Sequence, residues 1–221
     1  MRDPVDNMRR VDPYYREPRG KIRFSKTEVL HIAVAIGVLS VAFSLIMRNS
    51  TLDPDDPTMN IILIAGTSFI LVVCSFLFHE FGHKFVAQRY NAWSEFRAYP
   101  QGLMMAIVFS IMGFLFAAPG AVYIRGMISK EMNGKISLAG PAVNFVISAI
   151  AIAVFFSIEP GTLVYVVVGM LAYLNAFLGL FNMIPVLPFD GSKIVAWSIP
   201  VYAMAAIVGA VELAIVFLYV I

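Results

Sequence analysis

The sequence predicts an all-α membrane protein, a polytopic helical bundle of five to six transmembrane helices with a re-entrant or β-containing segment between the second and third core spans. Composition is the first indication, because 60% of the 221 residues are hydrophobic and only 14% are charged, against about 45–50% and about 25% in soluble chains. The second is a mean hydropathy of +0.82. The third is a series of uncharged stretches long enough to cross about 30 Å of hydrocarbon.

Composition also excludes several other classes of protein. The chain has one cysteine, Cys74, so a framework of disulfides is excluded. Its high apolar content excludes an intrinsically disordered chain. A net charge of +2, without a stripe of basic and aromatic residues, gives no indication of a nucleic-acid partner. We therefore expect the lipid bilayer as the surroundings of the protein and no nucleic acid among its partners.

Five stretches are long and apolar enough, or nearly so, to be membrane-spanning helices. They cover residues 29–47, 60–78, 136–158, 161–189 and 194–221. The first four hold no formal charge, and the last holds only Glu212, whose role the sequence leaves open. A sixth stretch, 101–118, is also uncharged, but it is short and runs into the turn signal Pro119-Gly120.

The first 26 residues differ from the rest of the chain. They contain eight Lys or Arg residues, which is too many over too long a segment for the start of a cleaved signal peptide. Because Lys and Arg collect on the cytoplasmic side of membranes, we predict that residues 1–26 form a cytoplasmic basic tail. Residues 27–221 are then expected to form a single membrane-embedded domain.

The end of the second apolar stretch holds the pattern H-E-x-x-H, formed by His79, Glu80 and His83. Residues four apart share one face of a helix, so both imidazoles can bind one metal ion. Glu80 is then placed to take a proton from a metal-bound water, as in metallohydrolases. The alternative is a polar cluster that marks the helix end and hydrogen-bonds to neighbouring helices.

A catalytic zinc site usually has three protein ligands, so a third must come from elsewhere in the chain. Asp190 is the strongest candidate, because it follows a long uncharged run and closes the segment NMIPVLPFDG. Its alternative role is that of a helix cap for the last span. His31 lies within the first span, where we expect a buried residue with a hydrogen-bond partner rather than a ligand.

One metal site made by His79, His83 and Asp190 constrains the topology. The three residues must lie near the same membrane face, so an even number of crossings separates His83 from Asp190. Three apolar stretches lie between them, and the short stretch 101–118 is predicted to re-enter rather than cross. This arrangement places 15 of the 16 Lys and Arg residues on the cytoplasmic side, whereas a crossing would place 11 there. The positive-inside rule favours the former, with the N-terminus cytoplasmic and the site near the cytoplasmic side of the cell membrane.

Three motifs in the apolar segments resemble those of a known family. They are HEFGH at 79–83, LAGPAVN at 138–144 and FNMIPVLPFDG at 181–191. In type, order and placement they are similar to the core of the site-2 protease family of intramembrane zinc metalloproteases. The resemblance covers roughly residues 60–195.

The resemblance implies a set of roles. His79, His83 and Asp190 would be the ligands of one Zn²⁺ per chain, and Glu80 the catalytic base. Asn182 resembles the family's asparagine near the active site, with an implied role in holding the substrate or the oxyanion. The implied activity is hydrolysis of peptide bonds in transmembrane protein substrates, as in regulated intramembrane proteolysis.

A transmembrane substrate must unwind locally before its backbone can react, because each helical carbonyl is already hydrogen-bonded. The freed backbone groups then need partners. The β-favouring segment GAVYIR at 120–125 lies within a predicted re-entrant or strand segment of about 93–130. We predict that it forms an edge strand that binds the unwound substrate through Val122 and Ile124. An ordinary connecting strand or loop is the alternative.

Asn144 is a further candidate for substrate binding. It follows Gly140 and Pro141 in the second motif, and small residues permit helices to approach closely while amides hydrogen-bond across them. A role in helix packing is therefore the alternative for Asn144.

Two other functions compete with proteolysis. A membrane metal-ion transporter or metal-binding protein would use the same ligands, but it has no need of a base such as Glu80 beside them. The second alternative is an inactive homologue that binds membrane proteins, and the intact His79, His83 and Asp190 argue against it. The sequence leaves the substrate's identity and the oligomeric state open.

Overall fold

The computed structural model describes residues 22–114 and 118–220, which fold into eight α-helices and one two-stranded sheet. The helices are α1 (Lys26–Ile46), α2 (Pro57–Val72), α3 (Phe78–Arg89), α4 (Pro100–Ile111), α5 (Lys130–Phe155), α6 (Leu163–Asn182), α7 (Asp190–Trp197) and α8 (Ile199–Tyr219). The strands are β1 (Trp93–Ala98) and β2 (Gly120–Arg125). A 3-10 turn (Met47–Asn49) follows α1, and a π-helical turn (Val73–Leu77) joins α2 to α3. Most of the predicted basic tail, residues 1–21, lies outside the described residues, and the prediction of one domain over 27–221 stays a prediction.

Five helical segments of the described chain are long and apolar enough to cross a membrane. They are Lys26–Asn49, Pro57–Arg89, Lys130–Phe155, Leu163–Asn182 and Ile199–Tyr219. Large apolar side chains such as Ile61 and Leu218 are exposed, whereas many polar ones are buried among the helices. This distribution suits a lipid environment, in which polar groups must find partners inside the protein. The prediction of a multi-pass helical membrane protein is confirmed.

Most of the long helices begin at a side chain that caps their first turn. The caps are Ser25, Asp56, Ser129, Thr162 and Ser198, each of which accepts a hydrogen bond from a backbone N–H two or three residues on. Pro57 and Pro100 stand in the first turn of α2 and α4, where a backbone N–H would have no helical partner. These residues supply the start signals that the hydropathy pattern lacks.

The segment between the two strands leaves the sheet and returns to the same end of it. Strands β1 and β2 are antiparallel, with Ala98 opposite Gly120 and Trp93 opposite Arg125. Helix α4 packs along α1, and its 12 residues make it shorter than a span. The predicted strand in this region is confirmed, while its re-entry into the bilayer stays a prediction.

Helix α5 forms the centre of the bundle and packs against α3, α6 and α7. Its closest approach to α3 is at Gly82, where a Cβ atom would lie only 2.7 Å from the backbone oxygen of Ala139. Any larger residue at position 82 would push the two helices apart. This contact brings the HEFGH segment of α3 directly against the middle of α5.

Candidate active site

Three buried side chains meet where α3, α5 and α7 converge. His79 and His83 lie one turn apart on α3, and Asp190 is the first residue of α7. The two Nε2 atoms are 3.0 Å apart, and Asp190 Oδ2 lies 3.1 Å from His83 Nε2 and 3.5 Å from His79 Nε2. All three residues are less than a tenth exposed. They form a group that could hold a metal ion, as the sequence predicts.

The hydrogen bonds behind the two rings show why a cation fits this group. His79 Nδ1 faces Asn144 Oδ1 at 2.6 Å, and His83 Nδ1 faces the carbonyl oxygen of Ile136 at 2.8 Å. Both partners are acceptors, so in the neutral rings Nδ1 holds the proton and Nε2 presents a lone pair. Two lone pairs and the Asp190 carboxylate then face each other without a proton between them. Two imidazoles and a carboxylate are a donor set typical of catalytic zinc.

Gly140 keeps the space in front of these ligands open. It lies on α5, and a Cβ atom at this position would be 2.6 Å from His79 Nε2 and closer still to His83 Nε2. A side chain here would therefore occupy the space into which the donor nitrogens point. The cradle fits a single ion.

Asp190 does not cap the last span. Helix α7 has Phe189 at its N-cap position, with no side-chain cap hydrogen bond, and the last span is capped by Ser198. The Asp190 carboxylate faces the two Nε2 atoms, a position from which it could bind a metal ion together with them.

A buried amide network supports His79 from behind. Asn144 is fully buried, and its Nδ2 donates to the Ser75 carbonyl at 2.9 Å and to Asn175 Oδ1 at 2.8 Å. Asn175 Nδ2 in turn donates to Ser75 Oγ and to the Leu171 carbonyl, both at 2.9 Å. Ser75 lies in the π-helical turn, and such turns often mark functional sites. Both the oxygen and the nitrogen of the Asn144 amide therefore already have partners within the protein. The predicted contact of Asn144 with substrate stays a prediction.

Sequence reasoning missed Asn175 and Ser75. An amide in an uncharged span is costly in lipid unless it has a partner, so the isolated Asn175 was the available signal. Ser75 gave none, because a serine can satisfy its hydroxyl within its own helix.

Glu80 is buried beside the three ligands and contacts strand β2. Its Oε2 accepts a hydrogen bond of 3.1 Å from the backbone N–H of Val122. This N–H points away from β1, so it belongs to the outer edge of the sheet. Ile124 lies two residues further along the same edge. The structure therefore brings the predicted base and the predicted edge strand into contact.

Three other residues from the sequence analysis lie apart from the ligand group. Asn182 ends α6, and its Nδ2 donates to the Leu178 carbonyl of its own helix, so its role at the active site stays a prediction. His31 is only partly buried, not buried as expected, but it does accept a hydrogen bond from the Ala98 N–H, the kind of partner that was expected for it. Glu212 is buried in α8, and its Oε2 has no hydrogen-bond partner among the described residues.

The fold and the site together define a class: a multi-pass membrane protein with a buried His–Glu–His helix and an aspartate that completes a metal-binding group. Comparisons with known proteins agree. The chain is 36% identical over 187 residues to MJ0611 of Methanocaldococcus jannaschii, which is named a zinc metalloprotease, and the match covers 84% of this chain and 92% of that protein. The chain belongs to the site-2 protease family of zinc metalloproteases, and Zn²⁺ is its cofactor.

Two further relatives match over a shorter region. MJ0392 of the same organism, also named a zinc metalloprotease, is 33% identical over 138 residues, which are 62% of this chain and 35% of that protein. Rip3 of Mycobacterium tuberculosis, again named a zinc metalloprotease, is 30% identical over 138 residues, which are 60% of this chain and 31% of that protein. The matched part is thus about a third of these longer relatives. No family model and no solved structure matches the chain.

Proposed function

We propose that this metalloprotease cleaves within the membrane and hydrolyses peptide bonds of transmembrane protein substrates, as in regulated intramembrane proteolysis. The observation that supports this most directly is the burial of His79, Glu80, His83 and Asp190 together among apolar helices. A soluble substrate would have no path to such a site through lipid. A transmembrane segment already lies at the required depth.

The proposed chemistry gives each residue of the site one task. His79, His83 and Asp190 hold Zn²⁺, which when bound polarises a carbonyl and makes water a better nucleophile. Glu80 is the general base that takes a proton from the attacking water. Because Oε2 of Glu80 is bound to the Val122 N–H, its Oε1 accepts this proton. Glu80 then passes this proton to the leaving amine. Asn182, at the end of α6, would donate to the oxyanion or hold the substrate.

The substrate is proposed to add as a strand to the outer edge of β2. The Val122 carbonyl and the Ile124 N–H lie on the same edge as the Val122 N–H that Glu80 binds, so a peptide paired with these two groups would lie beside the metal ligands. Pairing supplies partners for the backbone groups that unwinding frees. Direct contact of Asn144 with the substrate is a weaker part of this proposal, because its amide is already bonded to His79.

The topology completes the proposal. The stretch 101–118, of which the structure describes 101–114 and 118, would re-enter the bilayer, since Ala98 and Gly120 on either side of it are paired at the same end of the sheet. The exposed apolar side chains of α4, among them Met104 and Val108, would then contact lipid. The N-terminus would be cytoplasmic and the site near the cytoplasmic side of the cell membrane, in agreement with the positive-inside rule.

The test is cleavage of a model transmembrane substrate in proteoliposomes, with the zinc content measured on the same samples. The wild type is expected to hold zinc and to cleave. Glu80→Gln is expected to hold zinc and not to cleave, because the amide keeps an oxygen for Val122 but cannot act as a base. A wild type that moves zinc across the bilayer and cleaves nothing would favour the metal-transporter alternative instead.

A further inference from the structure

The two edges of the sheet differ in what occupies them. On the outer edge of β1, three successive outward-facing residues each have a backbone group that binds a side chain of α1 or α3. The contacts are Ser94 O with Lys84 Nζ at 2.8 Å, Phe96 N with Glu28 Oε1 at 2.9 Å, and Ala98 N with His31 Nδ1 at 3.2 Å. An edge occupied in this way cannot accept another strand. Within residues 22–114 and 118–220, the outer edge of β2 has only the contact between Val122 and Glu80.

The centre of this arrangement is an ion pair buried completely inside the protein. Glu28 and Lys84 are both fully buried, and Lys84 Nζ lies 2.9 Å from each carboxylate oxygen of Glu28. Two desolvated charges are costly, and an apolar pair of similar volume would often serve stability as well or better. The pair has no place in the proposed chemistry. The cost of the ion pair is explained if the reaction needs the sheet to be held in the position that the pair fixes.

The ion pair fixes where the sheet lies relative to α3, the helix that carries Glu80. Lys84 lies one turn after Glu80 on α3, and the sheet lies across this turn. Lys84 binds the outer edge of β1, while Glu80 binds the outer edge of β2. Phe96 and Val122 are directly opposite each other in the sheet. The contacts thus form a closed path. It runs from Lys84 on α3 to β1, crosses the sheet to β2, and returns to α3 at Glu80.

We propose that Glu28, Lys84 and His31 are positioning residues for the reaction. They clamp β1 to α1 and α3, and through the register of the sheet they set the edge of β2 at Glu80. The clamp has a second consequence, because it closes the edge of β1 and leaves that of β2 for the substrate. This inference rests on the proposed function, in which a substrate strand pairs with β2.

The test opens the clamp without leaving a buried charge unpaired. In Glu28→Met/Lys84→Met both partners become apolar, so the Ser94 carbonyl loses its donor Lys84 and the Phe96 N–H loses its acceptor Glu28. The matched control is Glu131→Met/Lys135→Met, which removes an exposed Lys–Glu pair of α5. Cleavage of a model transmembrane substrate is measured as kcat per bound zinc.

The opened clamp is expected to bind zinc as the wild type does, and to lose about 10- to 100-fold in kcat per bound zinc, because small misplacements at a site have effects of this size. The control pair should match the wild type. A purely structural role would lower zinc content and activity in proportion and leave kcat per bound zinc unchanged, which would overturn the proposal.

A second variant keeps the test decisive if the double variant cannot be purified with zinc. His31→Leu opens only the Ala98 end of the clamp and is expected to lower kcat per bound zinc several-fold. An unchanged kcat per bound zinc in His31→Leu would overturn the proposal that the clamp positions β2. If the wild type and the control pair cleave no transmembrane substrate, the proposed function itself fails. If the wild type cleaves and the opened clamp equals it, the clamp alone fails.

Discussion

A single methyl group at position 140 is expected to empty the metal site. Gly140 lies on α5 opposite the donor nitrogens, and none of its own atoms is a ligand. In Gly140→Ala the new Cβ would lie 2.6 Å from His79 Nε2, whereas ordinary van der Waals contacts begin at 3.4 Å. The imidazole of His79 would therefore have to withdraw by about 0.8 Å, the difference between these two distances.

A displacement of this size is incompatible with zinc binding. Zinc–nitrogen distances are about 2.0–2.1 Å, and a genuine site keeps its ligands within about 0.2 Å of the ideal values. The required shift is about four times that tolerance, and His83 Nε2 is even closer to the new methyl group. The helix itself gains from the substitution, since alanine is favoured over glycine by about 1 kcal/mol in a helix interior. The loss should thus appear in metal binding and not in helix formation.

The assay is the zinc content of purified protein, together with competition against a chelator of known affinity. Gly140→Ala is expected to lose at least about 100-fold in zinc affinity, more than substitutions behind the ligands usually cause. Gly66→Ala is the matched control, because a Cβ there meets nothing within 4 Å. A Gly140→Ala protein that holds zinc with the affinity of the wild type would refute the assignment of His79 and His83 as ligands of one ion.

Three further predictions test the surroundings of the site. Asn144→Leu removes the acceptor that fixes the His79 ring and should weaken zinc binding about 10- to 100-fold, measured by the same competition. Val122→Pro removes both an edge donor and the partner of Glu80, so it should lower cleavage more than Ile124→Pro does, with zinc content equal in both; equal rates would contradict the contact with Glu80. Removal of the metal by a chelator should abolish cleavage, and Zn²⁺ should restore it without refolding of the protein.

Hydropathy and local spacing predicted much of this molecule. Membrane-spanning helices follow from uncharged runs, because lipid admits few charges and requires internal backbone hydrogen bonds. The pairing of His79 with His83 follows from the helix repeat alone, since residues four apart lie on one face. The strand at 120–125 follows from β-branched and aromatic residues beside turn signals. Each of these depends on neighbours within a few positions of the chain.

Asp190 could be predicted from the sequence for a different reason. It is separated from His83 by more than a hundred residues, but few carboxylates follow long uncharged runs, so the number of candidates was small. The parity of the crossings then restricted which apolar stretches can span. A cap for the last span was the remaining alternative, and that position is held by Ser198.

The contacts that give the site its shape come from the tertiary structure. Asn144 meets His79 across 65 positions, Val122 meets Glu80 across 42, and Glu28 meets Phe96 across 68. No local repeat relates such pairs, because their meeting depends on how whole helices dock and on which face each one presents. The sequence therefore determined the class of chain and the metal-binding residues on one helix. The docking of α1, α3 and α5 around the sheet decided what holds those residues in place, since side-chain packing between distant segments is settled only when the bundle closes.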